Sequence, residues 1–185
     1  MDSLRKTEQQ FEEVIRSCRE VFLAKMKDYG SSWRVLRPSS LTDQIYIKAS
    51  RIRSIDDKGT QRIREGVLPE FTGIVNYSVI ALIQLELGPD SDPALLVKEA
   101  EVLYNKYIHT ARDLMLNKNH DYDEAWRNMR LSSLTDIVLM KLKRIKQIED
   151  NAGRTFVSEG VESNYYDIIN YSVFALIKIR ENEDF

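Results

Sequence analysis

The sequence predicts an all-α protein built as a tandem duplication of one three-helix unit, packed as a pseudo-two-fold helical bundle. Three observations support this prediction. An internal repeat covers most of the 185 residues, apolar residues recur at helical spacing, and no segment alternates like a strand. Because three helices have only one apolar face to bury, the simplest arrangement packs both units around a common core.

The repeat is clearest in a block of eleven residues. WRVLRPSSLTD at 33–43 recurs as WRNMRLSSLTD at 126–136, with eight identical positions and an offset of 93. A later match, IVNYSV at 74–79 and IINYSV at 168–173, has an offset of 94. The inserted residue falls where a loop is expected between the second and third helices of a unit.

Start and stop signals divide each unit into three helices. In the first helix, the apolar residues along positions 11–26 share one face. The second helix is expected to begin near Ser40 or Thr42, whose side chains can cap a first turn, and to end at Gly59. The third is expected to begin after Glu65, and the second unit repeats this pattern.

The domain boundaries follow from a turn-forming segment in the middle of the chain. Two prolines and a glycine within 88–93 cannot continue a helix, which predicts a linker at 89–93. The first repeat should then cover residues 1–88 and the second 94–185. We expect them to form one compact domain, because neither repeat can bury its apolar face alone.

The composition disfavours several classes of function. The chain has 27 basic and 29 acidic residues, a formal charge of -2, so no overall field attracts it to nucleic acid or to a membrane. Its one cysteine, Cys18, excludes an internal disulfide and suits a reducing compartment. The N-terminus lacks the apolar stretch of a signal peptide, and the longest apolar run, at 73–87, has the character of a core helix. We expect a cytoplasmic protein.

The repeated polar block is the main candidate for a binding site, since core packing alone would not keep so many polar residues in both halves. Cationic side chains bind phosphate oxygens, and Trp or Tyr rings, such as Tyr29 and Tyr122, can stack on a base. The predicted ligand-binding residues are Trp33, Arg34, Arg37, Asp43, Lys48, Arg51, Trp126, Arg127, Arg130, Asp136, Lys141 and Arg144. The alternative is structural: tryptophans anchor the core, hydroxyl groups cap helices, and Asp43 pairs with Lys48 or Arg51. Glu65 or Glu70 would serve equally well as the counter-charge of these two cations.

Carboxylates of the third helices are candidates for a magnesium site, because this ion takes hard oxygen ligands. Glu159 and Glu162 are three residues apart, and Asp167 follows on the same broad side, whereas the first half has Gly73 at the position of Asp167. The second half is therefore the better candidate for a metal. Alternatively, these residues are solvated acids of a first helical turn, favoured by the helix dipole.

An asparagine recurs inside each of the most apolar helices, as Asn76 and Asn170. A buried amide is costly unless it is hydrogen-bonded. These two residues either contact a ligand or form buried polar contacts between helices. The chain contains no phosphate-binding loop, dinucleotide fingerprint, zinc-protease motif or serine-hydrolase elbow.

Three segments carry a family resemblance: KDYGSSWR at 27–34, LTD at 41–43 with its following Lys-x-x-Arg, and GIVNY at 73–77. They resemble the nucleotide-modification-associated domain of phages and bacteria, and the resemblance covers nearly the whole chain twice. The chain is also distantly similar to the all-α nucleoside-triphosphate pyrophosphohydrolases, which hold magnesium with ExxE and ExxD pairs. Here the first helices lack ExxE, and Glu159, Glu162 and Asp167 approximate half of the set.

These observations lead to two hypotheses. In the first, the chain recognises a nucleotide or other phosphate-bearing small molecule and hydrolyses a nucleoside triphosphate, with Glu159, Glu162 and Asp167 as metal-holding catalytic residues. In the second, it is a non-catalytic helical binding or assembly module, kept for its pseudo-symmetric interface. Both are compatible with a homo-oligomer, and neither involves a membrane. A third, weaker hypothesis is single-stranded nucleic-acid binding, which the slightly acidic composition disfavours.

Overall fold

The computed structural model describes residues 2–59, 66–90 and 94–183, and within these ranges the chain is all α-helical. The helices are α1 (Asp2–Tyr29), α2 (Pro38–Lys58), α3 (Val67–Leu87), α4 (Val97–Tyr122), α5 (Leu131–Asp150) and α6 (Val161–Glu183). Short 3-10 helices at Ser32–Val35 and Ala125–Asn128 precede α2 and α5. The predicted all-α fold is confirmed, and the two halves show the same order of elements.

Helix ends agree with the sequence signals to within a few residues. α2 begins at Pro38, slightly before the predicted Ser40, because proline is well suited to a first turn that needs no amide donor. It ends at Gly59, which adopts a left-handed conformation with φ of 60°. The predicted start of the third helix after Glu65 falls beside a segment outside the described residues, and α3 begins at Val67.

Each helix packs against its own copy in the other half. The closest partnerships across the halves are α3 with α6, α2 with α5, and α1 with α4. One hydrophobic core contains residues from both halves: Phe71 and Ile74 of α3 and Tyr165 and Ile168 of α6 are fully buried within it. The halves therefore complete each other's core, as expected from their single apolar faces.

α3 is the most apolar helix. Its length and composition alone would allow it to cross a membrane, but 67% of its most apolar 18-residue stretch is buried inside the protein. The other described helices do not meet this criterion. Burial on this scale is typical of a core helix. α3 packs against α2 and α6.

The repeated asparagines join helices within each half. Asn76 donates from its amide nitrogen to the Cys18 carbonyl at 2.9 Å, and Asn170 donates to the equivalent Ala111 carbonyl at 3.0 Å. The amide oxygen of Asn76 also accepts a hydrogen bond from the Tyr104 hydroxyl at 2.8 Å. The amide oxygen of Asn170 has no partner among the described residues, and the residue equivalent to Tyr104 is Phe11.

We expect Tyr104→Phe to lower the free energy of unfolding by about 1–2 kcal/mol, because it leaves the buried oxygen of Asn76 without a donor. Urea denaturation measures this loss. Tyr107→Phe on the same helix is the matched control: its hydroxyl bonds to Glu86, which is 38% exposed, so water can replace the lost contact. Equal losses in the two variants would show that the hydrogen bond from Tyr104 to Asn76 stabilises the fold no more than the exposed bond from Tyr107 to Glu86.

Candidate functional site

The two repeated tryptophans are buried in the 3-10 helices, with 8% and 4% of their surface exposed. The Trp33 ring nitrogen donates to the Met26 sulfur at 3.3 Å. The Trp126 ring stacks on Phe174 with centroids 4.2 Å apart and 4° between planes, and the Arg127 guanidinium lies 4.5 Å from its centroid. Trp126 is thus almost fully buried and in contact with two side chains of its own half, which supports the structural interpretation.

The arginines that follow the tryptophans are held by internal partners. Arg34 is buried and donates to the Gln84 side chain and, at 2.6 Å, to the Gly88 carbonyl. Gln84 in turn donates to the Arg34 carbonyl at 2.9 Å. Arg34 therefore joins the first 3-10 helix to the end of α3.

Arg127 occupies the equivalent place in the second half. Its guanidinium contacts Glu124 at 3.2 Å and Gln10 at 2.9 Å, and its carbonyl accepts a hydrogen bond from Lys178, which stands at the position of Gln84, at 2.6 Å. Neither Arg34 nor Arg127 lines either of the two cavities described below, so neither is placed for the predicted phosphate contact there.

The other members of the block lie mostly at the surface. Arg37, Arg130 and Arg144 are exposed. Asp43 pairs with Lys146 at 2.5 Å, and Asp136 pairs with Arg53 at 3.5 Å, so both acids bridge α2 and α5. The alternative in which Asp43 pairs with Lys48 or Arg51 is wrong, because the partner comes from the opposite half.

The repeated Lys-x-x-Arg pair meets different acids in the two halves. In the first, Lys48 lies 3.3 Å from Glu70, and Arg51 also bonds to that carboxylate. In the second, Lys141 bonds to Asp167 at 2.6 Å. Asp167 aligns with Gly73, one helical turn after the position of Glu70. The acid has thus moved by one turn between the copies.

The three predicted magnesium ligands are not brought together. Glu159 is exposed in the loop before α6, and Glu162 accepts a hydrogen bond from Tyr166 at 3.3 Å. Asp167 is buried, and Lys118 and Lys141 each donate to one of its oxygens at 2.6 Å. No group of three His, Cys, Asp or Glu side chains among the described residues could hold a metal ion. These carboxylates do not fit a resident magnesium ion, because two ammonium groups already take both oxygens of Asp167.

The titration behaviour of Asp167 agrees with this pairing. Burial alone would raise its pKa, but the hydrogen bonds and charges of Lys118 and Lys141 outweigh burial and lower the pKa. Asp167 is therefore ionised at neutral pH. It acts as an anion bound by two cations of its own chain.

A cavity of about 450 Å³ lies in the first half, between the end of α1, the first 3-10 helix and the start of α3. This volume is within the range of small-molecule sites. Its wall is largely apolar and includes Phe22, Leu36 and Trp33. Its polar groups include Lys25, Lys48, Tyr29 and Tyr77. Burial, followed by the proximity of Tyr77 and Asp28, raises the pKa of Tyr29, so its hydroxyl is neutral at pH 7.

Larger side chains occupy the equivalent positions in the second half. Where the cavity is lined by Thr72, Gly73 and Ile80, the second half has Tyr166, Asp167 and Phe174. The Phe174 ring lies on Trp126, and Asp167 takes the two lysines. The predicted Trp33 and Lys48 thus meet at the cavity, while their counterparts Trp126 and Lys141 contact residues of α6.

A wider groove of about 800 Å³ crosses the pair α2 and α5. It is open to solvent, and two of its cations, Arg53 and Lys146, already pair with Asp136 and Asp43. The first-half cavity is the better candidate site, because it is more enclosed and its wall is more apolar. Lys25 and Gly73 were not among the predicted ligand-binding residues, although the recurrence of Lys25 as Lys118 was a usable signal.

Comparison with known proteins agrees with the duplicated architecture. The family described as nucleotide modification associated domain 1 matches the chain twice, over residues 25–85 and 118–179. Searches of the curated proteins and of the solved structures found no significant match. The two matched segments include both tryptophan blocks and both Asn-Tyr helices, and together they span well over half of the chain. The chain therefore belongs to the nucleotide modification associated domain 1 family, as a tandem pair of its domains.

Proposed function

We propose that this protein recognises a nucleotide in the cavity of its first half. The observation that carries the proposal is the combination of a partly enclosed, largely apolar cavity with two phenol rings and two ammonium groups on its lining. Aromatic rings can stack on a base, and ammonium groups attract phosphate. The association of the family with nucleotide modification supports the same ligand class.

The proposal covers binding and does not extend to hydrolysis. Magnesium-dependent pyrophosphohydrolysis needs carboxylates that gather around the ion. The predicted carboxylates lie apart, and Asp167 is neutralised by two lysines. No step of catalysis is therefore assigned to them, and the non-catalytic binding module is the function that the geometry favours.

Thermal unfolding with a panel of nucleosides, nucleoside monophosphates and nucleoside triphosphates tests the proposal. A ligand at 100 times its Kd should stabilise the native protein by about 2.7 kcal/mol. We expect at least one nucleotide to raise the midpoint of unfolding, and titration calorimetry to give a stoichiometry of one per chain. If no member of the panel binds, the proposal is wrong.

Two cavity-filling variants locate the site. Ile80→Phe and Thr72→Tyr introduce the residues that the second half carries, and each should weaken nucleotide binding at least about tenfold by occupying ligand space. Leu85→Phe, an exposed position on the same helix outside the cavity, is the matched control. Binding that survives both filled variants would place the ligand elsewhere. Pyrophosphate release with magnesium would restore the enzymatic hypothesis.

A further inference from the structure

The two halves contain the same pair of lysines around different groups. In the second half, Lys118 of α4 and Lys141 of α5 both bind the Asp167 carboxylate of α6. Their equivalents in the first half are Lys25 of α1 and Lys48 of α2, and the residue equivalent to Asp167 is Gly73. In the first half Lys48 pairs instead with Glu70, one turn earlier on α3, so the two lysines there do not share a carboxylate as Lys118 and Lys141 do.

The local contacts around Gly73 agree with this comparison. A Cβ atom at Gly73 would lie 2.8 Å from Cε and 3.2 Å from Nζ of Lys48, so the Lys48 side chain lies over the glycine where a larger residue would project. Lys25 forms no hydrogen bond or ion pair with any residue that the structure describes. Both lysines line the cavity, within reach of a small ligand.

The charges of the two lysines favour an anion at this end of the cavity. Lys48 pairs with Glu70, whereas Lys25 forms no ion pair with any residue that the structure describes. A phosphomonoester carries about -1.5 to -2 at pH 7 and supplies the counter-charge that Lys25 lacks. A nucleoside without phosphate does not supply it.

We infer that Lys25 and Lys48, where they line the cavity near Gly73, bind the phosphate group of a nucleoside monophosphate, and that the Asp167 carboxylate permanently takes the role of this phosphate in the second half. The assignment of the phosphate to a nucleotide rests on the proposed function, whereas the anion-binding role of the two lysines does not. The second half is, in this view, a closed copy of the site, and the chain has one working site.

Gly73→Asp is the decisive variant, because it gives the first half the carboxylate of the second. The far end of Lys48 is flexible and can move aside for the new side chain. Gly73→Ala is the matched control, since it places the same Cβ atom beside Lys48 but adds no charge. We expect Gly73→Asp to lower the affinity for nucleoside monophosphates at least tenfold beyond the loss in Gly73→Ala, and to leave nucleoside affinity at the level of the Ala variant. Equal losses in both variants would overturn the inference.

Inorganic phosphate tests the binding place without a nucleotide. At constant ionic strength set with chloride, phosphate should raise the midpoint of thermal unfolding of the unsubstituted protein and should have a smaller effect on Gly73→Asp. Adding Asp167→Gly to Gly73→Asp should restore the effect, because Lys118 and Lys141 then lack their anion. If the double variant does not fold, the comparison of Gly73→Asp with Gly73→Ala still decides.

The outcomes separate the two proposals. Nucleotide binding that is equally weakened by Gly73→Asp and Gly73→Ala leaves the cavity as the site and refutes the assignment of phosphate to Lys25 and Lys48. If phosphate stabilises the unsubstituted protein and the double variant more than Gly73→Asp, but no nucleotide binds, the anion site is supported and nucleotide binding is refuted. Phosphate stabilisation that is identical in all variants refutes the anion site.

Discussion

Trp126→Ala is expected to lower the free energy of unfolding by about 3–5 kcal/mol, the usual cost of truncating a large buried aromatic residue. The indole is 4% exposed, stacks on Phe174 and lies under the Arg127 guanidinium, so its removal leaves a cavity next to α6. Urea denaturation followed by far-UV circular dichroism measures the loss. The midpoint should fall without a change in the slope, since the native fold is otherwise the same.

Trp126→Phe is the matched control. It keeps an aromatic ring against Phe174, and the indole nitrogen has no hydrogen-bond partner among the described residues, so no such bond is lost. We expect a loss of about 1–2 kcal/mol, well below that of the alanine variant. A loss under about 1 kcal/mol in Trp126→Ala would contradict the anchoring role and favour the original prediction that this ring stacks on a base.

Arg34→Ala is expected to cost about 3 kcal/mol, because it removes charge-assisted hydrogen bonds from a buried position. The Gln84 side-chain oxygen and the Gly88 carbonyl lose their donor, and the end of α3 is released from the first 3-10 helix. The same denaturation experiment measures the loss. Nucleotide affinity, corrected for the folded fraction, should change much less than stability.

Arg37→Ala is the control for Arg34→Ala, since Arg37 lies three residues away and is exposed at the start of α2. Its substitution should change stability by less than about 0.5 kcal/mol. The opposite pattern, a stable Arg34→Ala protein that no longer binds nucleotide, would show that the guanidinium serves the ligand and would reverse the structural assignment.

The fold could be predicted because its signals are local and occur twice. Gly59 and Gly153 follow the ends of α2 and α5 through backbone preferences that need no knowledge of tertiary contacts. The shared core followed from the narrow apolar face of each unit. These features depend on spacing and residue type, and both can be read directly from a sequence.

The binding block could not be interpreted in the same way, because repeated polar residues have the same appearance whether they serve a ligand or each other. Arg34 and Arg127 recur, but their partners differ: Gln84 donates to one main chain and Lys178 to the other. A sequence gives no direct indication of which distant side chain supplies the counter-charge. The internal partners therefore became visible only in the structure.

The magnesium prediction assumed that all three carboxylates lie on one helix, but Glu159 lies outside it. Glu159 precedes α6, which begins at Val161, so the three-residue interval to Glu162 does not place the two side chains on one helical face. Asp167 does lie on the helix, but Lys118 from α4 and Lys141 from α5 reach it. That convergence of three helices is a tertiary property.

The pairing of each helix with its own copy has an evolutionary consequence. An interface of this kind is isologous, the type that joins identical subunits in symmetric dimers. An ancestral single unit would have needed a second subunit to cover the same face, and each of its two sites would have carried the same residues. Gene fusion removes that constraint, since a substitution then alters one copy only. Gly73 in one half and Asp167 in the other are the kind of divergence that a symmetric dimer cannot acquire.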